Sequence, residues 1–281
     1  MTFAASSSTG RVSIIIPTRD SAEALRRCLR SVNVQRHPAD EIVVVDCFSG
    51  DDTRHVASEL GGKVIVARGT QAAARNVGIA NSDGEYLLFL DSDQQLEDGV
   101  VEDCISRCAR DGVDAVKIPE LFVGVNFWGR CSAFWKNSMV KAWGPDGGIP
   151  RFYKRSILRQ SAAYDGSLRF WEDLELYQRL TRIALRRVAW CRCRVLHYEV
   201  SSLRDLVTKY LSYGGSVVGF RTNSAEKPHL STIKLTLSTG LHVLRNPGRS
   251  PLIFFGCLLQ VLLKTFCAGF GFFIESWRRR A

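Results

Sequence analysis

The apolar positions fall first into short unbroken runs and later into runs with a helical period. Ile14 to Ile16 within Val12–Ile16, Ile42 to Val45 within Glu41–Asp46, and Tyr86 to Leu90 are continuous and apolar, too short to span a membrane. That is the pattern of strands buried on both faces. Pro17 is expected to stop the first, and Lys63 to Val66 forms a further short strand. Between them, Ala22 to about Val34 sets Ala24, Leu25, Cys28, Leu29 and Val32 on one helical face, with Ser21 placed to cap it. The turn Cys47–Thr53 opens a helix to Leu60, and Gly69 to Asn81 has helical composition. Alternation of this kind predicts an α/β fold, a mostly parallel sheet with helices on both faces, over residues 11–118.

After Ile118 the pattern becomes more helical. Trp128 to Ala142 reads as an aromatic-rich helix, ended by Gly144-Pro145-Asp146-Gly147-Gly148. Leu174 to Ala184 is a helix preceded by Trp171-Glu172-Asp173, and His197 ends a later strand. Leu203 to Gly219 and Leu230 to Leu244 are amphipathic. Leu252 to Ile274 is a 23-residue apolar run, enough to cross ~30 Å of hydrocarbon. Gln260 and Lys264 interrupt it and, with Ala268, Gly271 and Glu275, form one small or polar stripe. Basic residues flank both ends, Arg245 and Arg249 before and Arg278 to Arg280 after. Symmetric flanks and a central lysine favour a hairpin or interfacial helix pair over a single span, with a buried oligomer interface as the other reading. The expected division is a flexible tail (1–10), a catalytic domain (11–225, with halves 11–118 and 119–225) and membrane-associating helices (226–281).

Charge sharpens this picture. The net charge is +10, and from Ser201 onward eleven Lys and Arg face three acids, so +8 of it lies there. These cations flank apolar runs rather than alternating with exposed aromatics, which points to a membrane surface and away from nucleic acid. Nine cysteines without a Cys-x-x-Cys pair describe reduced thiols in a cytosolic setting, not a disulfide framework or a zinc site. No secretory signal is read in the first ten residues.

Candidate chemistry gathers where strands end. Asp91 and Asp93 follow the Tyr86–Leu90 strand, and an open α/β sheet binds ligands beyond such carboxyl ends. If the backbone stays extended, period-two spacing aims both carboxylates the same way, as a hard cation with substrate phosphates requires. A solvated strand end with a turn fits the pair as well. Thr18 and Arg19 after the first strand, and Asp46, Ser49 and Asp51 after the second, border the same edge, although each alone suits a turn or a cap. Arg75, on an alanine-rich helix, is placed to reach a diphosphate.

Ile14-Ile15-Ile16-Pro17-Thr18-Arg19, Val43-Val44-Val45-Asp46, Ala73-Ala74-Arg75-Asn76-Val77-Gly78 and Leu88-Phe89-Leu90-Asp91-Ser92-Asp93 together resemble the landmarks of the GT-A-fold (Rossmann-like) family 2 inverting glycosyltransferases. The resemblance covers Val12 to about Tyr213. It implies a nucleotide-diphosphate-sugar donor held by Pro17, Thr18, Arg19, Asp46, Ser49, Arg75 and Asp91. It also implies a divalent cation, Mn or Mg, on Asp91 and Asp93, with His197 completing the metal or diphosphate site. Glu172-Asp173 resembles the family's Glu-Asp motif, which assigns Asp173 as the base and Glu172 to acceptor or sugar contact, beside Trp171. Arg151 resembles a short-strand cation on the acceptor side, and Lys209 a diphosphate contact in the segment that closes over the donor. A lipid-phosphate or glycolipid acceptor at the cytoplasmic face of the cell membrane is the implied partner, and a homo-oligomer is compatible. Cys47 and Phe48 depart from the family's usual Asp-Asp-Gly-Ser or Asp-Asn-Ser continuation, which leaves the base open. A sugar-nucleotide pyrophosphorylase is the second reading, against which stands the absence of a Gly-rich basic loop after the first strand. An inactive membrane-bound scaffold of the same fold is the third.

Overall fold

The computed structural model describes residues 10–144, 147–161, 163–168, 170–199, 202–223, 229–248 and 250–278. The expected tail (residues 1–9), Pro145–Asp146 of the breaker run, and the flanking Arg249, Arg279 and Arg280 lie outside them. The chain runs β1 (Val12–Thr18), α1 (Ala22–Asn33), β2 (Glu41–Asp46), α2 (Thr53–Glu59), β3 (Lys63–Val66), α3 (Gln71–Ala80), β4 (Tyr86–Phe89), β5 (Gln94–Leu96), α4 (Val100–Arg110) and β6 (Ala115–Lys117). It continues with β7 (Glu120–Gly124), α5 (Phe127–Trp143), β8 (Phe152–Lys154), α6 (Arg155–Arg159), α7 (Glu172–Ile183), β9 (Val188–Trp190) and β10 (Val195–Glu199). Helices α8 (Leu203–Asn223), α9 (His229–Arg245) and α10 (Pro251–Arg278) complete it.

Two compact units emerge, and they do not follow a single cut after Ile118. The first takes the described residues up to Pro119 together with Pro150–Tyr164 and Leu176–Arg194. It holds a seven-stranded sheet of order β3-β2-β1-β4-β8-β6-β9, parallel among its first four strands. The short β8 returns antiparallel between β4 and β6, which brings residues 150–154 into the first unit. Its core joins Ile15, Leu87, Phe89, Tyr153, Leu176 and Leu180, so the sheet face and the apolar stripe of α7 share one interior. Helix α3 lies close on the sheet because Gly78 has no Cβ to strike Ile15.

Two local expectations change. Strand β1 runs through Pro17 to Thr18, opposite Val45 and Asp46. The Ile15 carbonyl accepts from Leu90 N on the β4 side and the Thr18 carbonyl from Cys47 N on the β2 side. Strand alternation therefore puts the amide that Pro17 lacks on the β4 side, where pairing has ended at Ile15–Phe89. Ser21 does not cap α1. Its hydroxyl donates to the Arg19 carbonyl, while Asp51 Oδ2 accepts from Ala22 N at 3.1 Å.

The second unit comprises Glu120–Ile149, Asp165–Glu175 and Val195 onward. Within it β7 and β10 pair in parallel, His197 opposite Phe122, with α5 across them. Asn126 caps α5 through Gly129 N at 2.7 Å, and α10 lies along α5 and α8. Helix α10 is long and apolar enough to cross a membrane by length and composition. All nine cysteines are free thiols.

Candidate active site

The strand that ends at Phe89 delivers Asp91 into a turn, not an extended segment. Gln94 N donates to the Asp91 carbonyl at 3.0 Å and Asp91 N to Gln94 Oε1 at 3.0 Å, so the extended backbone on which the period-two argument depended is not formed. Asp91 instead anchors a cluster of cations. Gln71 Nε2 and Arg75 Nη2 donate to its Oδ1 at 2.6 and 2.9 Å, and Arg151 Nη1 approaches Oδ2 at 3.4 Å. Arg75 is 1% exposed, and its guanidinium lies 5.3 Å from the Tyr164 ring centroid. Two guanidiniums share one carboxylate at the carboxyl end of β4. Arg151, expected on the acceptor side, stands beside Asp91. Gln71 was missed by the sequence reading; its place one residue after the α3 cap Thr70 is the signal that would have found it.

The ends of β1 and β2 build an adjoining part of the same unit. Asp46 is fully buried; its Oδ1 accepts from the Ser49 hydroxyl, its Oδ2 from Ser49 N at 3.1 Å, and Arg54 Nε stands 3.6 Å away. Ser49 Oγ in turn accepts from Asp20 N at 2.9 Å. Asp46 and Ser49 thus hold the loop together. Thr18, after the buried Pro17, has a buried hydroxyl with no hydrogen-bond partner. A buried orphan is costly unless something completes it. Arg19 is exposed beside Asp20. Phe48, half exposed, takes a left-handed backbone (φ 58°) under the Arg68 guanidinium, 4.5 Å from its ring centroid. For an aromatic residue that backbone is strained.

The remaining expected site residues belong to the second unit. Trp171 has φ 63°, a strained hinge directly before Glu172 and Asp173 in the first turn of α7, where carboxylates are favoured. Phe170 stacks on Trp171 and, at 4.0 Å between centroids, on Tyr213. Lys209 is exposed on α8, its Nζ 5.7 Å from the Tyr213 ring. His197 Nδ1 lies 3.7 Å from Glu120 Oε2, a carboxylate–imidazole pair that fixes a histidine's orientation. Lys136 is ion-paired with Glu199. Burial pushes the Glu199 carboxyl up, but the Lys136 charge and hydrogen bond outweigh it and hold the group below its ordinary value.

Among the described residues, no three His, Cys, Asp or Glu side chains converge as a metal cage. Asp91 faces both arginines, and Asp93 stands two residues on in the same turn as a second carboxylate. One or two carboxylates suit Mg or Mn when substrate phosphates and water supply the other oxygens, so the residues fit a cation that arrives with a diphosphate.

The sequence model of Glycosyl transferase family 2 matches residues 13–165, more than half of the chain. The chain belongs to this family. Among relatives, poly(ribitol-phosphate) beta-N-acetylglucosaminyltransferase TarP of Staphylococcus aureus is 32% identical over 161 residues, 53% of this chain and 48% of TarP. The family 2 chain spans less than half the length of each of the first four curated relatives it matches. Its fold is that of solved family structures. S. aureus TarS 1–349 in complex with UDP-GlcNAc aligns over 77% of this chain and 68% of its own, with a TM-score of 0.54 and 17% identity. The mannosyltransferase PcManGT of Pyrobaculum calidifontis, in complex with GDP-Man and Mn2+, aligns over 97% and 87%, with a TM-score of 0.58 and 17% identity.

Proposed function

We propose that this family 2 chain is an inverting glycosyltransferase that moves a sugar from a nucleoside-diphosphate donor to a lipid-linked or other membrane-near acceptor at the cytoplasmic face of the cell membrane. The observation that carries the reading is the Arg75–Asp91–Arg151 cluster at the carboxyl end of β4, in the same unit as the orphaned Thr18 hydroxyl. Open sheets bind ligands at such edges, and two guanidinium forks suit a diphosphate. The TarS complex with UDP-GlcNAc and the PcManGT complex with GDP-Man support a nucleotide-sugar donor.

In the transfer, the acceptor oxygen attacks the anomeric carbon as the bond to the diphosphate breaks, and the acceptor proton goes to Asp173. Glu172 and Trp171 position the acceptor or the sugar. Arg75, Arg151 and Lys209 receive charge on the departing nucleoside diphosphate, while Pro17, Thr18, Arg19, Asp46 and Ser49 form the nucleoside side. Asp91 and Asp93 would hold a divalent cation, which supplies Lewis-acid stabilisation of the diphosphate when bound, and His197 is proposed as a metal or diphosphate contact.

The test is nucleoside diphosphate release from a panel of UDP-, GDP- and dTDP-sugars, with Mg or Mn and with or without membrane extract. Extract-stimulated release from one donor is expected, falling about 100-fold or more in Asp173→Asn while donor binding persists. Donor binding without turnover on any acceptor would support an inactive scaffold instead.

A further inference from the structure

Helix α10 has two faces of opposite character. Gly256, Cys257, Gln260, Lys264, Cys267 and Gly271 are buried, and the helix packs on α5 and α8. The glycines let the backbones close. A Cβ on Gly256 would lie 2.7 Å from Cys131 Sγ and Phe127 Cζ, and one on Gly271 would strike the Leu211 carbonyl of α8. Polar contacts lock the same face to α5: Gln260 Nε2 donates to the Trp128 carbonyl at 2.9 Å, Ser132 Oγ to Gln260 Oε1 at 3.0 Å, and Lys264 Nζ to Ser132 Oγ at 3.1 Å. On the other face, Leu252, Leu259, Leu262, Phe266, Phe273 and Trp277 are between 57% and 72% exposed. With the exposed Phe255 and Phe270 between them, their three- and four-residue spacing makes a continuous apolar stripe over most of the helix, about 42 Å at 1.5 Å per residue.

Something of matching chemistry covers that stripe. From Leu252 to Ile274 the single charged residue is Lys264, and it is buried, so the stripe lacks the charged borders by which paired helices select each other. Its ends are basic, Arg245 before α10 and Arg278 at its close, and Trp277 beside Arg278 is the residue type that sits at a membrane–water boundary. The surplus of +8 from Ser201 onward complements an anionic leaflet. Length alone would permit a span. Docking argues against it: α5 and α8 lie along α10 and carry exposed Arg130, Arg204 and Lys209, together with the Lys136–Glu199 pair, which hydrocarbon would have to accept. We propose that α10 lies in the plane of the membrane, its Leu/Phe/Trp face sunk into an anionic leaflet and its Gln260/Lys264 face fixed to α5 and α8. This deepens the membrane association proposed above and is independent of the sugar transfer.

The experiment uses the full chain with a C-terminal affinity tag and sealed vesicles of phosphatidylcholine alone or mixed equally with phosphatidylglycerol. The protein is expected to float with the anionic vesicles, about tenfold less with neutral ones. External trypsin is expected to cut the N-terminal unit and remove the tag alike. The Leu262→Glu/Phe266→Glu/Phe270→Glu variant should stay soluble and monomeric with an unchanged melting temperature, and lose flotation; Phe266→Ser alone should lose part of it. A tag protected while the N-terminal unit is digested would establish a span and overturn the proposal. A soluble dimer that ignores vesicles would assign the stripe to a second copy and overturn it too. Donor release, measured in parallel with membrane extract, tests the transferase separately: its absence from every donor would sink that reading and leave the orientation standing.

Discussion

Arg75 on α3 and Lys264 on α10 are both buried cations, 1% and 7% exposed, yet they keep opposite company. Arg75 faces a carboxylate, shares it with Arg151 and lies by an aromatic ring at a strand end. Lys264 donates to a serine hydroxyl within a helix interface, by the Tyr210 ring. Burial first, and Lys136 next, push its ammonium down to about 8, with the Glu199 charge pulling the other way. The difference separates a site from a lock. Two guanidiniums sharing a carboxylate at an open strand end suit an anionic ligand, whereas a lysine held by a serine hydroxyl inside a helix interface is tolerated for the packing it allows.

Removing the carboxylate should break the first arrangement most. Asp91→Ala removes the carboxylate that the buried Arg75 shares with Arg151 and is expected to cost about 3 kcal/mol in a urea melt. The second arrangement should respond in the reverse sense. Lys264→Met replaces a buried charge with an apolar chain of similar volume, and the melting temperature should hold or rise by roughly 2–4 °C. The wild-type pH dependence checks the cause. Because the folded pKa of Lys264 lies near 8, below its ordinary 10.5, the unfolded chain binds the extra proton between those values, so stability rises with pH from about 8 to 10.5. Lys136 on α5, Glu199 on β10, Lys209 and Tyr210 on α8 and Cys257 on α10 face the same ammonium and are present in both proteins, so the difference between wild type and Lys264→Met isolates it. The smallest effect compares two helix starts. Thr70→Ala removes a real cap on α3, its hydroxyl accepting from Ala73 N at 3.1 Å, and should cost about 1 kcal/mol. Ser21→Ala, on α1, should stay within about 0.5 kcal/mol in the same melt.

The parallel half of the sheet was legible in the sequence because Val12–Ile16, Ile42–Val45 and Tyr86–Leu90 are buried on both faces and carry no competing period. Strand β8 was not legible as part of that sheet. Its three residues, Phe152–Lys154, have no period, and only long-range pairing with β4 and β6 defines them. The same pairing explains Arg151: 60 positions separate it from Asp91, and the sheet closes that distance. Arg75 was legible because an arginine among alanines and a glycine has a helix to sit on and room to be buried. The α1 cap was misread because a serine before a helix is a local signal, while Asp51 reaches Ala22 across a loop. For α10, composition showed the polar interruptions; which face they occupy became clear only from Ser132 and Trp128 on α5.

The most direct test of the central claim is calorimetric binding of UDP and GDP, with Mg present, to wild type, Arg151→Ala and Lys264→Met. A site built on the Asp91 cluster predicts binding of at least one nucleoside diphosphate, about tenfold or more weaker in Arg151→Ala and unchanged in Lys264→Met. Equal affinity in wild type and Arg151→Ala, or a loss in Lys264→Met as large as in Arg151→Ala, would contradict it.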